Sequence, residues 1–222
     1  MKRSKKLTQT SETFLLSSIL ALSGGFQDAY TYNVRDKVFS NAQTGNVVLM
    51  SQHFMEGDWL KGVHYVFPVL AFALGVLVAE RIGHRYKNSK KIHWRQIVVI
   101  LEILILLSVG LIDYKYNMPA NMLVSFSCAM QVQTFRKVNG YGYASTMCIG
   151  NLRSGTESLS VFIREHQFGA LEKAMHYYGI IIIFAIGAGA GGICSKIIGI
   201  KSIWISCILL LGACLMMIKE HR

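Results

Sequence analysis

Long apolar stretches, with the basic residues confined to the gaps between them, leave this chain few folds to choose from. A helix needs about 20 mostly apolar residues to cross the hydrocarbon core of a bilayer. Six stretches approach that: Phe14–Tyr32, Val63–Ile82, Ile97–Ile112, Met118–Gln133, Met175–Cys194 and Ile203–Ile218. The third and sixth are short and would cross with little tilt. The first and fourth turn polar toward their C-terminal ends. Glycines cluster inside the stretches; each would cost a soluble helix roughly 1 kcal/mol relative to alanine, whereas membrane helices use them for close packing. Only 16% of residues are charged, against roughly 25% in soluble domains. The reading is an all-α polytopic protein, a single membrane domain over residues 1–222. No small-residue cleavage site follows the first apolar run, so that run is expected to stay as a helix.

Charge distribution predicts the orientation. With both termini in the cytoplasm, only Arg35, Lys37, Lys61, Lys115, Lys196 and Lys201 of the 23 basic residues fall outside. The rest sit at the ends and in the loops around Gly83–Trp94 and Thr134–Ala174, as the positive-inside rule requires. The net charge of +11 therefore reports topology. No basic face interleaved with aromatics is present, and nucleic acid is not an expected partner.

The two longest loops carry similar phrases. Ser40-Asn41-Ala42-Gln43-Thr44-Gly45-Asn46-Val47 is answered 105 residues later by Ser145-Thr146-Met147-Cys148-Ile149-Gly150-Asn151-Leu152. Gly25-Phe26-Gln27-Asp28 is answered at an offset of 106 by Gln131-Val132-Gln133-Thr134. Three spans per half is an odd number, so the second half, about 118–218, would enter the membrane inverted relative to the first, about 14–112. Six transmembrane helices as a 3+3 inverted repeat is an arrangement found in secondary transporters, with the site near the midplane. The segments Asn46–Met55 and Asn151–Ile163 read as short helices started by a Gly-Asn pair. Each is either a capped surface helix, or a re-entrant helix whose N-terminus points at a polar cavity and attracts an anion.

At Gly25-Phe26-Gln27-Asp28-Ala29 and Ala42-Gln43-Thr44-Gly45-Asn46 the chain resembles the YoaK-like family of six-helix bacterial membrane proteins. The resemblance runs from about Phe14 to about Ile218. It implies the six-helix fold and brings no activity with it. The second half departs from the family pattern, with Gln131-Val132-Gln133-Thr134 where G-L-Q-N is usual and Cys148-Ile149-Gly150 where x-T-G is usual.

Asp28 is the leading candidate for function, since a carboxylate within a bilayer costs several kcal/mol unless it faces protein, water or a partner. Either it is hydrated at the outer interface, or it faces a cavity with Gln27, Gln43 and Asn46 and handles a cation or proton. Arg35 and Lys37 are the nearest cations in sequence. Thr44, Gln133 and Asn151 complete the candidate substrate-binding set. Glu102 either snorkels toward Lys90, Lys91 or Arg95 or has a role of its own. Arg153 is placed to pair with Glu157. The run Gly187-Ala188-Gly189-Ala190-Gly191-Gly192 lies in a span with no preceding strand, so it predicts helix contact and not a nucleotide loop. The cysteines form no C-x-x-C pair and the histidines no metal motif, so no metal, cofactor or catalytic residue is assigned and no enzyme is expected. The function these features suggest is a small-solute transporter or efflux-type permease in the cell membrane. Its partners would be the lipid bilayer and a small polar solute, and the reading is compatible with a homo-oligomer. The alternative is a non-transporting scaffold or sensor that binds a lipid or protein partner.

Overall fold

The computed structural model describes residues 12–87 and 93–218. Eight helices form: α1 (Phe14–Val34), α2 (Gln43–Met55), α3 (Trp59–Tyr86), α4 (Trp94–Val109), α5 (Asn117–Thr134), α6 (Cys148–Glu165), α7 (Phe168–Ile198) and α8 (Trp204–Ile218). A two-residue antiparallel ribbon, β1 (Lys137–Val138) and β2 (Tyr141–Gly142), joins α5 to α6. All six apolar stretches are helical, and α3 and α7 run well beyond the expected ends. Among the described residues two helical segments, Trp59–Tyr86 and Phe168–Ile218, are long and apolar enough to cross a membrane on their own.

Helices α1, α3, α4, α5, α7 and α8 run alternately between two ends of the bundle. At one end Arg95 pairs with Glu12 at 3.2 Å, and Gly83 of α3 lies against Trp94. At the other, Arg35 meets the end of α4, and Tyr30 donates to the Ile200 carbonyl at 3.0 Å. α8 lies antiparallel to α4, with Trp204 Nε1 on the Leu107 carbonyl and the Cys207 thiol 3.8 Å from that of Ile103. α1 packs chiefly on α7, and α5 chiefly on α3. The short helices α2 and α6 rest on α3 and α7 respectively.

Burial is the reverse of a soluble protein's. Leu70, Leu74 and Leu77 on α3, Ile182, Ile186 and Ile193 on α7, and Ile208, Leu211 and Leu215 on α8 are all more than half exposed. They recur at helical spacing and form an exposed apolar surface of a kind that soluble monomers rarely carry. Inside, Ser23, Gln27, Glu102, Ser125, Ser127 and Gln131 are buried. α1 and α5 are the interior helices, with more than half of their residues buried, which lets them carry polar side chains along their length. They need not face lipid.

Candidate functional site in the bundle interior

The site begins where α1 ends. Asp36 and Lys37 take left-handed φ values of 60° and 61°, which reverses the chain direction. Two successive non-glycine residues in that region cost roughly 1–2 kcal/mol each. Asn117 offsets part of this by donating to Asp36 Oδ1 at 2.8 Å, and the Lys37 ammonium sits 4.8 Å from the centre of the Tyr32 ring. The chain then returns along α1 until the Asn41 side chain donates to the Gly24 carbonyl at 3.2 Å. Gly24 lies near the midpoint of α1, so this segment dips into the bundle. There Asp28 Oδ1 accepts from the Ser40 hydroxyl at 3.0 Å and from the Asn41 backbone N–H at 2.7 Å. Asp28 is buried, which excludes the hydrated-interface reading.

The second half makes a matching approach from the opposite end. After α5 an Asn139-Gly140 pair, with φ of 47° and 83°, turns the β-ribbon. That is the two-residue hairpin chemistry preferred where both turn residues need positive φ. The chain next climbs back to Ser145, whose hydroxyl accepts from Gln131 Nε2 at 2.9 Å. Thr146 packs directly on Gly24, where any side chain would overlap its methyl group. Asn41 and Thr146, which correspond at the 105-residue offset, therefore flank the same glycine.

Asn46 and Asn151 also play one role. Asn46 Nδ2 donates to the Phe39 carbonyl at 2.7 Å, and its Oδ1 accepts the Phe39 N–H at 3.3 Å. Asn151 does the same to Ala144, at 2.7 and 3.4 Å. Both short helices start three residues earlier than expected, at Gln43 and Cys148, so neither asparagine is an N-cap. Each instead clamps its dipping segment in a two-point bond. Asn46→Ala and Asn151→Ala should each lower stability by about 1–3 kcal/mol, the cost of leaving buried polar groups unpaired. Thermal melting of the purified protein in detergent should show similar falls for the two variants.

The remaining candidates separate. Gln43 belongs to the first segment, donating to the Ser40 carbonyl and accepting from Asn46, both at 2.9 Å. Thr44 is exposed on α2. Gln133 bonds Glu80 of α3 and takes no part in the interior site. Among the described residues Arg153 and Glu157 form no ion pair, and both side chains are exposed.

Gln27 faces away from Asp28's partners, toward α4 and α5. Its Nε2 donates to Ser23 at 3.0 Å and reaches Glu102 Oε1 at 3.5 Å; its Oε1 accepts from the Cys128 thiol at 2.9 Å. Cys128 also interacts with Ser40, Asn41, Asp28 and Glu102, so one thiol links the surroundings of the two carboxylates. Glu102 is fully buried, and its second oxygen has no hydrogen-bond partner. It does not snorkel to Arg95, which pairs with Glu12. Lys90 and Lys91 lie outside the described residues. Asn41 Oδ1, Ser127 Oγ, Gln131 Oε1 and Thr146 Oγ1 are likewise buried without partners. Buried polar groups are normally bonded to protein or water, so such a concentration marks a place for water or a ligand.

Arg35 was missed as a structural residue because its position in a loop reads as an exposed outside cation. It is completely buried. Nε donates to Tyr30 Oη, Nη1 to Asn117 Oδ1 and the Asp113 carbonyl, and Nη2 to the Val109 and Ile112 carbonyls. All five guanidinium donors are used. The charge caps the C-terminal end of α4, where the helix dipole is negative. Arg35 therefore is not the partner of Asp28, and Lys37 turns away to Tyr32.

The model of the family described as "Protein of unknown function (DUF1275)" matches residues 16–216. The chain is also 24% identical over 206 residues to the UPF0700 transmembrane protein YoaK of Bacillus subtilis (strain 168), covering 89% of this chain and 90% of that one. No solved structure matches. With its apolar exterior and polar interior the protein is a membrane protein, and it belongs to the DUF1275 family.

Proposed function

We propose that this protein is a transporter for a small polar solute, built as a 3+3 inverted repeat of six spans with both ends in the cytoplasm. The observation that carries the reading is the meeting of two dipping segments at Gly24, one from each end of the bundle, beside a buried carboxylate. Irregular backbone at membrane depth is tolerated where it is enclosed by protein or lines a cavity, and transporters place their sites there. Further support comes from the paired Asn46 and Asn151 clamps and from helix packing in which α1 on α7 mirrors α5 on α3. The N-terminus of α2 starts two residues after Asn41, whose backbone N–H donates to Asp28, so a carboxylate of the chain itself lies near that helix start.

The test is metabolite and ion profiling of cells with and without the protein, repeated with Asp28→Asn. The asparagine keeps an oxygen to accept from Ser40 and Asn41, so the variant should still fold while losing the charge. One or more small polar solutes should change in level with the protein present, and Asp28→Asn should abolish the change. Identical profiles with and without the protein would remove the transport reading. Full activity of folded Asp28→Asn would leave Asp28 as an anchor for the dipping segment alone.

A further inference from the structure

We propose that Glu102 is a proton-exchange site: its carboxyl group takes up and releases one proton within the bundle interior. The inference deepens the transport reading by naming the coupling ion, and its test does not require that transport be found.

Hydrogen bonding around Glu102 carries the argument. An ionised carboxylate can accept about four hydrogen bonds. Glu102 accepts a single long one, 3.5 Å from Gln27 Nε2, and Oε2 accepts none. The other side chain that interacts with it is Ser127, whose hydroxyl also lacks a partner in hydrogen-bonding geometry. The Ser127 hydroxyl can serve Oε2 in either state, donating to the anion or accepting from the acid. Even with that bond the anion has two donors, one of them distant, for about four acceptor positions, whereas the neutral acid carries no charge that needs them.

Among the described residues no fixed cation takes the proton's place. Glu102 is on α4, and the helices around it contribute Gln27 of α1, Ser127 and Cys128 of α5, and Cys207 of α8. The titratable groups facing it are thus two thiols, with Asp28 beyond Cys128. Among the described residues it makes no ion pair. A hard metal cation is a poor fit as well. Sodium-like or divalent ions need several oxygen ligands, whereas this setting offers an amide N–H, two thiols and one hydroxyl beside the carboxylate. A proton needs one acceptor. Exchange changes no other bond: the proton comes from water at one end of the bundle, leaves to water, and returns Glu102 to the anion.

The experiment is infrared difference spectroscopy of the whole protein in liposomes on a pH step. A protonated-carboxyl stretch should appear on lowering the pH and vanish on raising it. Labelling glutamate with ¹³C should shift that band in the wild type, which identifies the group without a substitution. Glu102→Gln should lose the band and Asp28→Asn should keep it. A wild-type spectrum with no such band, a band unmoved by glutamate labelling, or one that persists in Glu102→Gln overturns the assignment. So does a carboxyl signal that follows sodium concentration at fixed pH. If the band behaves as expected and profiling finds no solute, proton exchange stands and the transport reading falls; the opposite pair of results does the reverse.

Discussion

Arg35→Ala should yield almost no folded protein. The variant strands the Val109, Ile112 and Asp113 carbonyls and the Asn117 side chain, all of which lean on one guanidinium. At about 1–3 kcal/mol for each buried acceptor left unpaired, the loss rivals the ~5–15 kcal/mol that holds a whole domain together. Arg35→Lys should not rescue it, because an ammonium has three donors on a point charge and cannot reproduce a planar five-donor fork. Yield of monodisperse protein after detergent extraction is the measurement. A monodisperse Arg35→Ala with an unchanged melting temperature would show that the end of α4 is held by something else.

What the sequence could and could not reveal follows from the physics of each element. The six helices were legible because apolar runs and basic gaps are imposed by the bilayer, which acts on whole segments. The likeness of Ser40-Asn41 to Ser145-Thr146 is visible in the sequence. Its role at Gly24 is not, since nothing in a loop's composition says how deep it lies. Arg35 looked like an outside cation because charge counting assigns loops to solvent. Only the five acceptors gathered from α1, the end of α4, the loop after it and α5 reveal that it is interior. Glu102 was weighed against nearby lysines and arginine in sequence, but its neighbours are 75 residues away at Gln27 and on α5. The Asn139-Gly140 hairpin did carry a readable signal, a two-residue turn pair between Val138 and Tyr141.

The second large effect should come from the glycines between α1 and α7. A Cβ on Gly25 would overlap the Phe184 carbonyl and the Ala188 nitrogen, and one on Gly187 would overlap the Leu22 carbonyl. These obstacles are backbone, which cannot rotate aside as a side chain would. Gly25→Ala and Gly187→Ala should therefore each cost at least the ~1–3 kcal/mol of ordinary overpacking, with Gly25→Val failing to assemble. Gly189, in the same run, has open space where its Cβ would be. Gly189→Ala should melt at or above the wild-type temperature, since alanine favours the helix by about 1 kcal/mol. Equal melting temperatures for the 187 and 189 variants would mean that the run is simply flexible filler.

That backbone-to-backbone fit has a mechanical consequence. α1 and α7 are locked at van der Waals contact along Gly25, Gly187 and Gly191, and α3 is locked to α5 where Gly75 meets the Phe126 carbonyl. Each pair behaves as one stiff beam, because sliding either helix drives main chain into main chain. α1 and α5 touch only briefly by comparison. Relative movement of the two beams therefore falls to the side-chain layer between them, where Leu16, Leu20 and Phe26 of α1 share a core with Ala120, Val124 and Cys128 of α5. Gln27 lies in that layer, bonded to Cys128 and reaching Glu102, so a shift of one beam against the other would act directly on the buried carboxylate's neighbours.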